Sequence, residues 1–450
     1  MTSVLWFRRD LRLGDNPALL AARDPAGDWV LPLFVLDDAL RRPSGAVRLA
    51  FLYRSLRALD EALGGRLVVL RCRPENVVPR VAREIEASSV HVAADFGPYG
   101  RERDERVAAG LADGVPLVRT GSPYAIAPGR VRKDDGTPFR VFTPFYRAWR
   151  RHGWRGPADS AGARVRWLTG VDSTGVPADP DLPAGLALPE AGEAAALHRW
   201  VEFRESALAG YADHRDRPDL PGTSRLSVHL KYGTAHPRTL LADLAGRTGQ
   251  GAETFRKELA WREFYADVLW QEPRSARECL NTTFAALRLD SDQDRFAAWA
   301  EGRTGYPIVD AGMRQLRAEA WVHNRVRMIV ASFLVKDLHL DWTLGAREFL
   351  HRLVDGDLAS NNHGWQWVAG CGTDASPYHR VFNPVTQGRK FDPSGDYVRR
   401  YVPELRSVEG PAVHEPWDLP EGLPAGYPER IVDHAAARAE ALARYEVVRR

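Results

Sequence analysis

The sequence predicts an α/β domain built on a doubly wound parallel sheet, followed by an all-α domain. Three observations predict this. Over residues 1–128 short β-rich runs alternate with helical stretches, the pattern of parallel strands joined by crossover helices. From 196 to 450 strand signals nearly vanish while helical periods recur. Between them, 129–195 shifts to Gly, Pro, Ala and Asp and reads as a connector running over the surface. A chain of 450 residues has room for two or more domains.

Taken in order, strands are expected at Val4–Phe7, Val30–Leu36, Leu67–Arg71, Val90–Ala93 and Leu117–Arg119, with helices such as Ala46–Leu63 and Val77–Ala87 between them. A parallel sheet is covered on both faces. Its ligands lie beyond the carboxyl ends of the strands, at a switch point. No GxGxxG follows the first strand: Phe7 runs straight into Arg8, Arg9 and Asp10, and no Walker loop occurs anywhere. Arg140–Trp154, with Phe142, Phe145, Tyr146 and Trp149, reads as one helix inside the connector. The second domain shows helical periods at Ala194–Leu208, Pro237–Leu244, Thr254–Leu269, Asp310–Glu319, Trp321–Lys336, Gly345–Leu353 and Ile431–Val447.

Composition excludes little. A net charge of +3 does not reveal whether one face is basic. Arginine far outnumbers lysine, a bias that GC-rich coding also produces. Cys72, Cys279 and Cys371 are scattered, with no CxxC pair, which points to a reducing compartment. The start is no signal peptide, and no apolar run reaches the ~18 residues of a membrane span. The expectation is a soluble, cytoplasmic protein that binds no metal, since the histidines show no ligand spacing.

Four stretches carry chemistry. Asp355-Gly-Asp-Leu-Ala-Ser-Asn-Asn-His-Gly-Trp-Gln-Trp367 places acids, amides and indoles together. Buried, they need a flat polar partner, because an unsatisfied polar group costs about 1–3 kcal/mol. The alternative is a surface loop with two anchoring tryptophans. In Thr254–Leu269, Glu258, Trp261, Arg262 and Tyr265 fall at i, i+3, i+4 and i+7 and share one helix face. Such a stripe suits a binding surface better than a core or a solvated face. In Trp321–Met328, Asn324, Arg325 and Met328 share one side of a helix, and Arg327 is placed to reach an acid such as Asp355. An ion pair without a ligand is the competing reading. Gly222-Thr-Ser-Arg-Leu-Ser227 puts hydroxyls at a helix start, where they cap N–H groups or accompany a phosphate. Alone, it reads better as a plain cap.

Together these stretches, with Trp6-Phe-Arg-Arg-Asp-Leu-Arg12, Gly305–Arg314 and Arg380-Val-Phe-Asn-Pro384, resemble the DNA photolyase and cryptochrome family. The likeness spans nearly the whole chain and is greatest to the class I enzymes that repair cyclobutane pyrimidine dimers. It implies an FAD, active as FADH⁻, in the helical domain. Tyr211 and Thr223, Ser224, Arg225, Leu226 and Ser227 match its pyrophosphate side. Arg262, Arg327, Asp355, Gly356 and Asp357 match positions around the phosphates, ribose and ring, and Asn361 matches the residue facing flavin N5. The implied reaction is light-driven: the excited reduced flavin lends an electron to a dimer flipped out of the DNA, and the electron returns after the ring splits. Trp261 and Trp367 match the indoles bracketing the dimer, and Glu258 the acid at the thymine edge. Met328 stands where the (6-4) branch carries His. Arg215, Tyr265, Asn324, Arg325 and Gln387 match DNA-contacting positions. Trp365 and Trp342 match the inner members of a tryptophan relay whose outermost position falls here on Leu289. The family also implies a second, antenna chromophore. Arg48 and Asp95 lie in stretches more similar to the 8-hydroxy-5-deazaflavin binders than to the folate binders. The protein is expected to act as a monomer on UV-damaged DNA. A cryptochrome-like blue-light receptor is the alternative; the complete Trp, Glu and Met set speaks against it.

Overall fold

The computed structural model describes residues 2–23, 29–160, 164–378 and 380–449, so that 161–163 of the expected connector lie outside the described residues. The chain packs as two compact units. One comprises Met1–Leu182, Pro189–Ala209 and Ser224–Pro273; the other comprises Pro183–Leu188, Gly210–Thr223 and Arg274–Arg450.

The first unit is organised by a parallel sheet: β1 (Thr2–Phe7), β2 (Trp29–Leu36), β3 (Val68–Arg71), β4 (Ala87–Val92), β5 (Leu117–Arg119) and β6 (Arg166–Trp167), in the order β3-β2-β1-β4-β5 with β6 also beside β2. The central strands are buried almost end to end, as expected for a sheet covered on both faces. Pro32 stands inside central β2, where a missing N–H ordinarily breaks a ladder. Here it falls where no donor is needed. The Val30 carbonyl accepts from Leu168 N at 2.9 Å, so Pro32, two residues on, points to the same side. On that side β6 pairs with Trp29 and Val30, and β3 begins only at Leu33. A two-residue strand has no alternation to detect, and β6 was not expected. It makes the connector part of the sheet: Thr174 N also bonds the Val69 carbonyl at 2.8 Å.

The switch point beyond β1 and β4 is filled by the protein's own charges. Arg8 bonds Asp104 and the Ala93 carbonyl, and Arg103 bonds Asp104 at 2.9 Å and Asp95 at 3.2 Å. Both guanidiniums also lie over the Trp6 ring. Burial pushes the Asp95 carboxyl up, but Arg103 and Arg8 outweigh it and hold it below the usual range.

The Gln250–Gln271 helix packs with this unit. Its buried Glu263 accepts from Ala125 N at 2.5 Å, Ile126 N at 3.1 Å and Trp149 Nε1 at 2.7 Å. Asp267 takes Gly129 N at 2.5 Å.

The second unit is helical, and among the described residues no strand follows Trp167. Its core surrounds Trp299, Tyr306, Phe333 and Tyr397. The helix expected at Trp321–Lys336 starts later, at Asn324, because His323 caps it: Nδ1 accepts Arg325 N at 3.2 Å. It runs to Ser332 and continues as a π-turn over Phe333–Asp337, a departure frequent at functional sites. The stretch around 355–367 is no surface loop: Asp357 caps a helix, Leu358–Ala369, by accepting Ser360 N at 3.1 Å.

Candidate functional site

In the second unit, the acid at 355 meets the arginine at 327. Arg327 Nη2 donates to Asp355 Oδ2 at 2.9 Å, and Arg327 Nε to the Val322 carbonyl at 2.8 Å. The Asp355 side chain is 2% exposed. Its other oxygen, Oδ1, is buried with no hydrogen-bond partner. An orphaned acceptor beside a paired one is what a bound molecule with a polar edge would satisfy. Gly356 is buried but not sterically demanded: a methyl there would meet only ordinary contacts, from 3.4 Å.

The Leu358–Ala369 helix presents different chemistry on each side. Asn361 Nδ2 donates to the Ala346 carbonyl at 3.1 Å and to Asn362 Oδ1 at 2.8 Å. His363 is structural: Nδ1 bonds the Ala359 carbonyl, Nε2 bonds Ser275 Oγ, and burial drives its pKa down to about 4. Trp365 is buried against Phe349 and Trp299, and its ring occupies the space where Gly345 lacks a Cβ: a methyl would come within 2.1 Å of it. Trp367, two residues on and therefore on another face, is half-buried. Trp342 starts the helix that carries Gly345.

On the Asn324–Ser332 helix, Asn324 is exposed and Met328 half-buried. Arg325 donates from Nη1 to Met328 Sδ at 3.7 Å, pairs with Asp216 at 2.9 Å and lies over the Phe391 ring at 4.4 Å. Gln387 is half-buried on the Pro384–Phe391 helix. Arg215 lies over the ring of buried Tyr211, and Thr223 is half-buried. The sequence reading passed over His323. Burial holds it neutral, with a pKa of about 4. Nδ1 already accepts a backbone N–H, so Nε2 carries the proton, and it is buried with no acceptor.

In the first unit, Glu258, Trp261, Arg262 and Tyr265 are all half-buried along one stripe, while Glu263 and Asp267 bury the opposite face. The Trp261 indole lies on the Phe142 ring, centroids 3.7 Å apart and planes 9° from parallel, with Tyr265 beside it at 5.4 Å. One face of Trp261 is thus backed by protein. Arg262 is engaged as a clamp: it donates to the Pro123 carbonyl at 3.0 Å and the Leu230 carbonyl at 2.9 Å, above the Tyr124 ring. The expected hydroxyl cap at 223–227 is not formed. Leu226 stands at the cap position of the Ser227–Tyr232 helix without a side-chain bond, and Ser224 Oγ accepts Leu226 N instead, at 3.3 Å. Arg225 adopts a left-handed backbone, φ 53°, which turns the chain tightly before that helix. Arg48 donates to the Pro43 carbonyl at 3.1 Å, keeps a buried Nε without a partner, and has its pKa lowered by burial.

Residues 255–447 match a family model described as the FAD binding domain of DNA photolyase, and residues 3–162 one described as DNA photolyase. The chain is 47% identical over 452 residues to a deoxyribodipyrimidine photo-lyase of Streptomyces griseus, covering 97% of each. Among solved structures it is similar to a bacterial class III photolyase from Agrobacterium tumefaciens, with TM-score 0.89, 39% identity, and 100% and 98% of the two chains covered. It is also similar to an archaeal photolyase from Sulfolobus tokodaii that holds two FAD molecules, with TM-score 0.85, 30% identity, and 99% and 100% covered.

Proposed function

The chain belongs to the DNA photolyase family, and on that premise we propose that it repairs cyclobutane pyrimidine dimers in UV-damaged DNA with light, acting as a deoxyribodipyrimidine photo-lyase. The observation that carries the site is Asp355, a buried carboxylate with one oxygen on Arg327 and the other unpaired. That donor set fits FAD. When bound in its reduced form, FAD supplies the photoexcited electron that opens the cyclobutane ring and takes it back afterwards. The chain's residues bind, orient and shield. Asp355 would accept a hydrogen bond from the cofactor, and Arg327, bonded to its other oxygen, holds that carboxylate in place. Asp357 and Asn361 flank it, and the neutral Asn361 amide beside the ring favours reduced flavin without acting as a strong acid. Tyr211 and Thr223–Ser227 line the pyrophosphate side. Arg262, with two carbonyls already on it, contributes by positioning the 123–124 and 230 backbone.

Trp261 and Trp367 stack on the two bases of the flipped dimer, and Glu258 bonds a thymine edge. The face of Trp261 opposite Phe142 is the one that receives the base. Arg215, Tyr265, Asn324, Arg325 and Gln387 hold the DNA, with residues 196–450 as the domain for both FAD and DNA. Trp365 and Trp342 relay electrons to oxidised flavin. Arg48, with its unpaired Nε, and Asp95 support an antenna site in the first 128 residues. An anionic 8-hydroxy-5-deazaflavin answers the Arg48 charge. The protein works as a cytoplasmic monomer.

The purified protein's visible spectrum shows FAD and antenna together, and light-dependent loss of dimers from irradiated DNA tests the activity. Asp355→Ala should leave the protein folded but depleted of FAD. A colourless wild-type protein, or dimers that persist under light with reduced flavin bound, would sink the reading.

A further inference from the structure

Behind Trp261 the aromatic rings do not stop at Phe142. Phe142, Tyr146 and Trp149 fall at i, i+4 and i+7 of the Phe142–His152 helix and share one face. Ring centroids step from Trp261 to Phe142 at 3.7 Å, to Tyr146 at 5.8 Å, to Trp149 at 6.0 Å and to Trp154 at 4.4 Å. The first three pairs lie within 22° of parallel. Tyr146 and Trp149 are buried, whereas Trp154 is half-buried. Each of the two buried rings has its proton on a carboxylate: Tyr146 Oη donates to Glu253 Oε1 at 2.7 Å, and Trp149 Nε1 to Glu263 Oε2 at 2.7 Å. Burial raises the Glu253 carboxyl, but Tyr146, Arg150 and Arg256 outweigh it and hold it below the usual range, so it is ready to take a proton. Trp154 lines a cleft of about 540 Å³ together with Arg150, Arg247, Arg256 and Glu253. Three guanidiniums beside that carboxylate suit a small anion. Stacking on a base needs Phe142 behind the indole; it has no use for Tyr146, Trp149 or the cleft.

We propose that these rings form a hole path, which carries an oxidising equivalent from Trp261 to Trp154, where a small anionic reductant of the ascorbate type discharges it. The proposal rests on reading Trp261 as the indole that stacks on a base of bound DNA. The oxidant is a one-electron-oxidised base in that DNA, the radical cation that ultraviolet light leaves behind. Trp261 gives it one electron, and the base is restored. Trp261 then takes an electron from Tyr146 across the Phe142 ring, a bridge that is not itself oxidised, while the phenol proton moves to Glu253. The tyrosyl radical takes an electron from Trp149 and its proton back from Glu253. Trp149 is refilled by Trp154. Trp154 is refilled by the reductant, which loses one electron to the indole and one proton to water. One electron has moved from reductant to base, every side chain is as it was, and the dimer-binding indole is spared irreversible oxidation.

The test uses the full chain with oxidised FAD, bound to a dimer-containing duplex that carries an anthraquinone at one end. Light-excited anthraquinone oxidises the bases, and the same light on a duplex without it sets the background. Without reductant, peptide mass spectrometry should find oxygen added above background at Trp154, with Trp261 spared. Ascorbate should abolish the Trp154 product. Arg247→Glu should raise the ascorbate needed about two- to fivefold, the scale of one exposed charge, and leave the need for neutral dithiothreitol unchanged. Tyr146→Phe should remove the product from Trp154 and return it to Trp261. Repair by the same variant with reduced FAD should run at the wild-type rate, which shows that it folds. Wild-type oxidation that stays on Trp261 or Tyr265 overturns the path and leaves the stacking reading intact, as does a Tyr146→Phe pattern identical to wild type. Undiminished oxidation of Trp154 in Trp261→Phe overturns it too, since the hole then enters elsewhere. If the bound wild type is oxidised at neither Trp261 nor Trp154, no base meets Trp261; the stacking reading has failed, and this proposal with it.

Discussion

At the scale of single residues, the assignment turns on Trp261. Base–aromatic stacking is worth about 1–3 kcal/mol per base, so Trp261→Ala should weaken binding of dimer-containing DNA roughly ten- to a hundredfold in a competition assay. If the double variant with Trp367→Ala bound and repaired normally, the site would lie elsewhere. Phe142 holds that indole flat from behind. A stacked aromatic pair contributes about 0.5–1.5 kcal/mol, so Phe142→Leu should cost dimer binding about two- to tenfold and leave undamaged-DNA binding alone. Arg325→Ala should flatten the salt dependence of binding by about one unit, for damaged and undamaged DNA alike. The stripe carrying Trp261 was legible because a period of 3.6 needs only local sequence. Phe142 was legible as a helical aromatic but not as its partner, since stacking across more than a hundred residues leaves no local mark. Arg327 and Asp355 were legible as a pair only because the motif around each was already suggestive.

At the scale of elements, the Gln250–Gln271 helix is held by Glu263, whose carboxylate accepts three N–H groups from the chain around 125–149. Burial raises its pKa to about 6 in spite of those bonds. The folded state therefore binds this proton more tightly than the unfolded chain. The associated stability is fully present below the unfolded value of 4.5 and is lost as pH rises through about 6. Wild type should gain about 2 kcal/mol relative to Glu263→Gln as pH falls from 7 to 4.5, measured by denaturant titration. At pH 7 Glu263→Gln should still be destabilised by about 1–3 kcal/mol, because one amide oxygen cannot replace two carboxylate oxygens. A flat difference between pH 7 and 4.5 would remove Glu263 as a buried titrating group. Most long helices, though not Leu358–Ala369, and the five longer strands were readable in sequence, within a few residues at their ends. The short pieces were not: β6, the Pro384–Phe391 helix and the cap at His323 depend on tertiary partners rather than on pattern.

For the whole molecule, binding and stability are linked. A ligand held only by the folded state adds about 2.7 kcal/mol at a hundredfold excess over its dissociation constant. Stripping FAD should therefore lower the unfolding midpoint, and Asp355→Ala should show little further loss when stripped. An identical midpoint with and without flavin would contradict a cofactor built into the fold. The change from sheet to helix was legible from residue 1 to 450, yet packing groups the Gln250–Gln271 helix with the sheet, because Glu263 and Asp267 accept backbone N–H groups of residues 125–129 and the Trp149 indole, ahead of the expected helical domain. The pairing of Arg325 with Asp216 reaches furthest. A repair protein spends most of its life on intact DNA, and each cation that grips phosphate lengthens every fruitless stop. If Arg325 belongs to the proposed DNA footprint, an internal acid that competes for it would shorten those stops, while a dimer stacked on Trp261 and Trp367 would lose little. Asp216→Asn should tighten undamaged-DNA binding about two- to fivefold, the scale of one exposed ion pair, and the mutant should take longer to find a single lesion in a long duplex.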